Sequence, residues 1–476
     1  MDNKPRRYDL PEDYAQAVPV HVVWETTLAC NLNCQHCGSR AGKRRPGELS
    51  TEECFEIIRH LSILGTREIT LIGGEVFLRP DWTQIIERIT ESGIDCSMQS
   101  GAFNLNRERI AQAKKAGIKN IGVSIDGLKE VHDKVRGKKN SFDHAINALR
   151  LLKEFNIISS VNTVIMQENK HSLDELLDIF IAEGIKNWQV QLAVAMGNAV
   201  DNEHLLIQPY EIKDIQDRLF HLYNRALEHD VLIQPGNNIG YYGPYESIWR
   251  QADMGHWNGC SAGHTALGIE ADGKIKGCPS LPTTYYTGGN IREMSLTDIW
   301  NHTKELSFTR YRNADELWGF CKTCYYADVC YAGCTWTSHV LFGQRGNNPY
   351  CYHRVTELEK QNLKERIVKT AGGDGTSFDH GKFKIEVVNE AGEVVETQIG
   401  NTAPIAVPKD TGSFRIPRQL KLCRDCSKHV KPDEEFCPFC DSNIEEAEQN
   451  YQLRMQEINE SYEELMVILD KMHHAD

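Results

Sequence analysis

The sequence predicts an α/β fold followed by two smaller cysteine-bearing parts, on three observations. Between residue 21 and about 195, β-branched runs alternate with amphipathic stretches. From 236 to 365, glycine, tyrosine, tryptophan and seven cysteines replace that alternation. Two CxxC pairs and a strongly acidic helix then close the chain. The first pattern is the mark of parallel strands joined by helical crossovers.

Six strand candidates stand in the first region: Val22 to Thr27, Glu68 to Ile72, Ile94 to Gln99, Asn120 to Asp126, Ile158 to Ile165 and Trp188 to Val194. After the first, Ser50 and Glu53 form a capping box ahead of Phe55, Ile57, Ile58 and Leu61, which starts a helix. Further helices fit Trp82 to Ser92, Arg107 to Ala116, Phe142 to Phe155 and Leu173 to Glu183. Six β/α units are fewer than the eight of a closed barrel, and in parallel barrels chemistry gathers at the C-terminal strand ends. Beyond residue 365, Ala371 to Gly375 reads as a linker, and Phe383 to Val388 with Val394 to Ile399 reads as a β-hairpin. In the last helix Tyr451, Met455, Ile458, Tyr462, Leu465, Leu469 and Met472 repeat at steps of four and three, as a coiled-coil seam or a face docked on its own protein would. Residues 443–476 carry nine acidic and two basic residues, net −7, so the outer face is solvated or meets a basic partner. The domain division expected is therefore 1–20, an extension; 21–235, the partial barrel; 236–365, the cysteine-rich part; 366–420, linker and hairpin; 421–442, a metal ribbon; and 443–476, the acidic helix.

With 476 residues the chain has room for several domains and a large core. Its sixteen cysteines are not a secretory disulfide framework, because Met1 to Leu10 lacks an apolar h-region. They are expected as metal ligands in a reducing cytoplasm. The charge of −14 argues against nucleic-acid backbone as the main partner, and no run is apolar for long enough to span a membrane. A local basic patch, Lys43-Arg44-Arg45, is compatible with a peptide contact.

Three cysteines, Cys30, Cys34 and Cys37, lie in the loop after the first strand. A cubane iron-sulfur cluster normally takes four thiolates, so three leave one iron open, while part of a zinc site is the alternative. The spacing CxxxCxxC, with His36 before the last cysteine, resembles the radical SAM superfamily. Gly73-Gly74-Glu75 after the second strand, Ser124-Ile125-Asp126-Gly127 after the fourth, and Val135-Arg136-Gly137 resemble further elements of that family, in order along the chain. One departure is Val76, where the family usually has proline. The resemblance implies an open partial (β/α)6 TIM barrel whose open iron binds the amino and carboxylate groups of S-adenosylmethionine. One-electron reduction then releases methionine and a 5'-deoxyadenosyl radical that takes hydrogen from a substrate. It also implies that Gly73, Gly74 and Glu75 serve the methionine amino group, that Ser124, Asp126 and Arg136 lie at the cofactor, and that His36 and Leu192 complete its pocket; Leu192 reads equally well as core.

Cys260 and Cys278, then Cys321-x2-Cys324-x5-Cys330-x3-Cys334 and Cys351, resemble the SPASM extension of peptide-modifying (RiPP) radical SAM maturases. The resemblance implies two auxiliary [4Fe-4S] clusters besides the first: Cys321, Cys324, Cys330 and Cys351 on the distal one, and Cys260, Cys278 and Cys334 on the nearer one. The nearer set is one ligand short, with His256, Ser261 and His264 close in sequence. Interleaved zinc sites are the alternative. Anaerobic sulfatase maturases carry an aspartate proposed as a base after the cysteine that corresponds to Cys278; here Pro279 stands, and proline takes no proton. The 29 residues before Cys30 are too few for the leader-binding domain many peptide maturases carry, so leader recognition is expected elsewhere.

Cys423-x2-Cys426-x10-Cys437-x2-Cys440 is a zinc-ribbon pattern, two knuckles presenting four thiolates to one Zn(II). Asp425, Asp433, Glu434, Glu435 and Asp441 around it oppose phosphate, which favours a protein-docking role. Cys54 and Cys96 are expected as small core residues. The function expected is a radical SAM/SPASM maturase oxidising a precursor peptide to a cross-link, with a reductant such as flavodoxin or ferredoxin. Alternatives are a maturase of a protein or a small redox cofactor, and a multi-zinc scaffold without catalysis. No catalytic side chain is legible in these motifs.

Overall fold

The computed structural model describes residues 7–251, 254–400 and 414–473, with side chains to 463. The chain divides into two compact units, one of residues 1–241 with 257–417, the other of 242–256 with 418–476.

The first unit is built on a ten-stranded sheet. Strands β1 (His21–Glu25), β2 (Glu68–Ile72), β3 (Asp95–Ser100), β4 (Asn120–Ser124), β5 (Ile158–Ile165) and β6 (Asn187–Leu192) pair in sequence order, all parallel. They match the six expected strands, and a seventh, β7 (Leu232–Pro235), adds parallel to β6 at the edge. At the other edge β8 (Ala266–Ile269) lies parallel to β1, followed by antiparallel β9 (Lys274–Lys276) and β10 (Thr287–Asn290). Part of the cysteine-rich region thus extends the barrel sheet itself.

Local chemistry sets the crossovers. The Ser50–Glu53 capping box forms, with Glu53 N–H on Ser50 Oγ at 3.2 Å and Ser50 N–H on Glu53 Oε2 at 2.8 Å. The helix it opens, Thr51–Ile63, buries Cys54, Ile57, Ile58 and Leu61 at helical spacing. The next helix, Trp82–Glu91, buries Trp82, Ile85, Ile86 and Ile89 in the same way. Cys54 and Cys96 are both core residues.

A second sheet of three antiparallel strands follows: β11 (Leu363–Ala371), β12 (Lys382–Asn389) and β13 (Val394–Ile399). The expected hairpin is present, and β11 is a strand the pattern did not single out. Its alternation is half charged, Lys364, Arg366 and Lys369 interleaved with Glu365 and Ile367, which hides a strand that buries only part of one face. Gly372 to Gly381 connects β11 to β12 and is more than a linker, as its contacts below show.

The second unit holds the short ladder β14 (Lys421–Leu422) with β15 (His429–Val430), the cysteine quartet, and the helix Ile444–His473. It also takes in residues 242–256: Leu420 N–H donates to His256 Nε2 at 2.9 Å, and Lys428 Nζ to Tyr242 O at 3.3 Å. Ile458 and Tyr462 of the helix seam are exposed. The side chains of Leu465, Leu469 and Met472 lie outside the described residues. Among the described residues no helix is long and apolar enough to cross a membrane.

Candidate active site

The loop that carries the first three cysteines is anchored by three strand ends. Cys30 N–H donates to Gly42 O at 3.1 Å and Gly42 N–H to Leu28 O at 2.9 Å, closing the loop on itself. From beyond β4, Arg136 O and Val135 O accept from Asn33 N–H and Gln35 N–H at 3.1 and 2.8 Å. From beyond β6, Asn198 Nδ2 donates to Cys34 O at 2.9 Å and Asn202 Nδ2 to Gln35 O at 3.1 Å. The three thiols therefore sit at the C-terminal mouth of the parallel strands.

Each sulfur meets a donor: Leu32 N–H on Cys30 Sγ at 3.5 Å, Arg136 Nη1 on Cys34 Sγ at 3.7 Å, Ala41 N–H on Cys37 Sγ at 3.4 Å. Burial pushes the bare thiols up, Cys30 to about 11 and Cys34 to about 12, with Arg136 opposing in both. Such thiols ionise on binding metal and release protons as they do so.

Beside them, Gly73 and Gly74 end β2 where no side chain fits: a Cβ on Gly74 would stand 2.2 Å from Ala29 O, and one on Gly73 2.2 Å from Thr27 O. Gly74 N–H and Glu75 N–H donate to Thr27 O and Ala29 O at 2.7 and 2.8 Å, so β2 and the cysteine loop are locked backbone to backbone. Glu75 is fully buried, its carboxylate accepting from Ser100 Oγ at 2.6 Å and Gly101 N–H at 3.0 Å, and burial raises it to about 7. It is not the solvent-facing side chain of an ordinary turn.

Asp126 holds the opposite wall. Its Oδ2 lies 2.6 Å from Arg136 Nη2 and 3.2 Å from His36 Nε2. Burial alone would raise this carboxyl, but the Arg136 guanidinium carries it below the usual range. Burial lowers His36 to about 4, so the ring is neutral. Ser124 Oγ accepts from Gln99 Nε2 at 3.0 Å, and Leu192 is buried with its backbone bonded to Asn238. His36 Nδ1 and Arg136 Nε are buried with no hydrogen-bond partner among the described residues. Unmet polar atoms beside three gathered thiols fit a polar cofactor on a metal cluster.

The seven later cysteines of this unit fall into two groups. Burial pushes Cys278 up to about 12, with the Cys260 and Cys334 thiols adding to the rise. Cys330 is raised by burial and then by Cys351, Cys321 and Cys324. The nearby histidines are committed: His264 Nε2 donates to Tyr14 O at 2.7 Å, and His256 accepts from Leu420 in the second unit.

Sequence reasoning missed what joins these groups to the first. Met196, just past β6, packs with Val194, Val340 and Phe378. Its Sδ accepts from Trp336 Nε1 at 3.2 Å, and Trp336 packs, as Cys260 and Cys278 do, against the cluster of Ala262, Leu281, Tyr286 and Phe308. The loop Gly372 to Gly381 crosses this bridge: Asp379 grips Arg40 through both oxygens at 2.7 and 3.0 Å, and Phe378 lies under Lys276 Nζ, 3.9 Å from its ring centre. Arg45, expected in a free basic patch, is instead half-buried on Glu25 at 3.0 Å and Glu270 at 2.6 Å. Tyr241, Tyr242 and Tyr286 are buried and Tyr285 is exposed. The only signal for this bridge was a Phe-Asp-His triplet inside a glycine-rich stretch.

The model of the radical SAM superfamily matches residues 24–180, and that of the SPASM iron-sulfur cluster-binding domain matches 260–325. The chain carries a radical SAM domain followed by a SPASM domain. It is 27% identical over 350 residues to an AdoMet-dependent heme synthase of Methanosarcina barkeri, covering 71% of this chain and 97% of that one. It is 26% identical over 319 residues to mycofactocin maturase MftC of Mycobacterium tuberculosis, covering 66% and 78%. In fold it is similar to Streptococcus suis SuiB bound to its precursor peptide SuiA, with TM-score 0.54 and 16% identity over 68% of this chain and 74% of that chain. These two domains are those of enzymes that bind S-adenosylmethionine and iron-sulfur clusters, and the reading as a zinc scaffold without catalysis falls. Val76 in place of proline is compatible with this, since it opens a short 3-10 turn, Val76–Leu78, and is buried.

In the second unit the quartet closes tightly: Cys423 Sγ to Cys440 Sγ is 3.7 Å and Cys426 Sγ to Cys437 Sγ 3.6 Å, with all four sulfurs within 4.8 Å of one another. Four thiolates at about 2.3 Å from one tetrahedral ion would stand roughly 3.8 Å apart. The site fits a single metal ion.

Proposed function

We propose that this enzyme is a maturase of a ribosomally made precursor peptide, which it oxidises to a carbon-centred cross-link. The observation that carries this is the pairing of two thiol groups, Cys30/Cys34/Cys37 and Cys260/Cys278/Cys334, across the Met196–Trp336 contact. Cys30, Cys34 and Cys37 would hold the cluster on which S-adenosylmethionine would supply the radical for hydrogen abstraction, and Cys260, Cys278 and Cys334 would hold one able to take the electron that bond formation leaves over. The names of MftC and of SuiB with SuiA support a peptide as substrate.

In this reading Cys30, Cys34 and Cys37 hold the first [4Fe-4S] cluster, with Gly73, Gly74, Glu75, Ser124, Asp126, Arg136, His36 and Leu192 around its S-adenosylmethionine. Cys260, Cys278 and Cys334 hold the nearer auxiliary cluster, and Cys321, Cys324, Cys330 and Cys351 the distal one. Zn(II) occupies the Cys423/Cys426/Cys437/Cys440 ribbon, which serves to dock the peptide or its carrier. A flavodoxin or ferredoxin supplies electrons, in the cytoplasm. The test is coexpression with short reading frames that neighbour the gene: a product lighter by about 2 Da supports oxidative cross-linking, since two hydrogens leave. Unchanged mass with altered chirality would point to epimerisation instead. A second reading, oxidation of a small redox cofactor, is favoured by the match to heme synthase over 97% of that relative. It predicts that the purified holoenzyme transforms an iron porphyrin precursor and leaves peptides untouched.

A further inference from the structure

Oxidative bond formation removes two hydrogens from the substrate. One leaves as a hydrogen atom to the deoxyadenosyl radical; the other must leave as a proton, with its electron passing to an auxiliary cluster. The proton needs an acceptor, and Pro279 cannot be one. Three candidates stand near the second thiol group. Lys276 Nζ is fully spent on Pro279 O, Leu281 O and Glu270. His339 is entirely buried. The third is His380, on the loop that links β11 to β12, outside both family matches.

Its place is set from both sides. The backbone of His380 forms an antiparallel bridge with Met196, beyond β6. Met196 Sδ in turn stands 3.5 Å from where a Cβ on Gly38, the residue after Cys37, would lie. Its neighbours Phe378 and Asp379 are pinned on Lys276 and Arg40. His380 is thus held against Met196 on one side and, through His339 and Tyr286, beside the apolar cluster on which Cys260 and Cys278 pack on the other.

The ring has a defined tautomer. Nδ1 is 2.9 Å from Gly381 O, a carbonyl that only accepts, so the proton is on Nδ1 and the lone pair on Nε2. Among the described residues no group bonds Nε2, and the residue is half-buried. Behind it stands His339, ring centres 5.2 Å apart at 84°. Tyr286 Oη and His339 Nδ1 are 3.1 Å apart. Burial keeps His339 well below its ordinary range, so it brings no charge against a proton on His380.

We propose that His380 is the catalytic base of the peptide oxidation, taking the substrate proton at Nε2. This rests on the peptide-maturase reading, and one arm of the test is independent of it. In the full-length holoenzyme without peptide, diethyl pyrocarbonate should modify His380 and spare His339; an unreactive His380 overturns the proposal whatever the substrate. With a precursor peptide that the wild type converts, His380→Ala and His380→Gln should lower the yield of product per 5'-deoxyadenosine by about 10²- to 10⁴-fold, the usual worth of a general base. Added imidazole should restore part of the yield to His380→Ala. An unchanged yield, or a loss of 5'-deoxyadenosine as large as the loss of product in both variants, overturns it. If the wild type converts no peptide, the maturase reading fails separately, and the modification result stands by itself.

Discussion

Cys30, Cys34 and Cys37 stand half-buried on a loop held by three strand ends, whereas Cys423, Cys426, Cys437 and Cys440 close on one another at 3.6 and 3.7 Å. The number of thiols and the neighbours they keep separate the two. Four sulfurs that fill a tetrahedron leave no coordination position for a reactant. Three sulfurs beside Arg136, Asp126 and the locked glycines of β2 leave one, together with polar atoms that await a partner. In the proposed reading the same ligand type serves stability in one region and chemistry in the other.

The largest break in this comparison should come from Cys34→Ala. Of roughly 12 iron expected on three cubanes, about 4 should be lost, and 5'-deoxyadenosine formation should fall to background. Iron and acid-labile sulfide analysis with a dithionite-driven assay checks both, and persistent cleavage of the cofactor would sink the assignment of the first cluster. Cys437→Ser should do the converse, releasing one zinc while the iron stays, as read by metal analysis of the purified chain.

Gly74→Ala tests the wall beside the open site. The added carbon would meet Ala29 O, a backbone atom that cannot swing away. Overpacking of this kind costs about 1–3 kcal/mol. A lower Tm together with weakened cofactor cleavage is expected, whereas Gly372→Ala, which meets nothing within 4 Å, should leave cleavage intact.

The smallest effect concerns pH. Burial holds His36, His132 and His264 near 4 and His21 near 3, against an ordinary 6.5. Between 6.5 and about 4 the unfolded chain takes protons that the folded chain refuses. Their contribution is therefore full above 6.5 and lost as pH falls, by about 1.4 kcal/mol per pH unit for each group. Glu25 and Glu75, raised by burial to about 7, act in the opposite sense between 4.5 and 7, because there the folded chain keeps protons the unfolded chain has shed. Four histidines against two carboxyls leave a net loss on acidification. Urea midpoints of the apoenzyme should fall between pH 7 and 5.5, and His132→Gln should flatten the slope.

The barrel strands were legible because most are short runs rich in β-branched residues that alternate with amphipathic helices, such as the one capped at Ser50–Glu53. Strands β7 and β11 were not: four residues ending in Pro235, and a half-charged alternation, carry too little periodicity. Among the site residues, those in tight motifs could be read, because a bound cluster and its cofactor constrain local spacing. Met196, Trp336, Asp379 and His380 could not. They stand up to 184 residues apart in sequence and meet only through packing.

The sequence by itself determined the β/α order, the three-cysteine loop, the glycines of β2 and the four-thiol ribbon, since each depends on neighbours within a few residues. Only the tertiary structure decided that Arg45 is an internal ion pair and not a surface patch, that residues 242–256 belong with the ribbon, and that a presumed linker is strapped to Arg40 and Lys276. The reason is physical: burial and electrostatic partnership are properties of what long-range folding brings alongside, and no local pattern encodes the far member of such a pair.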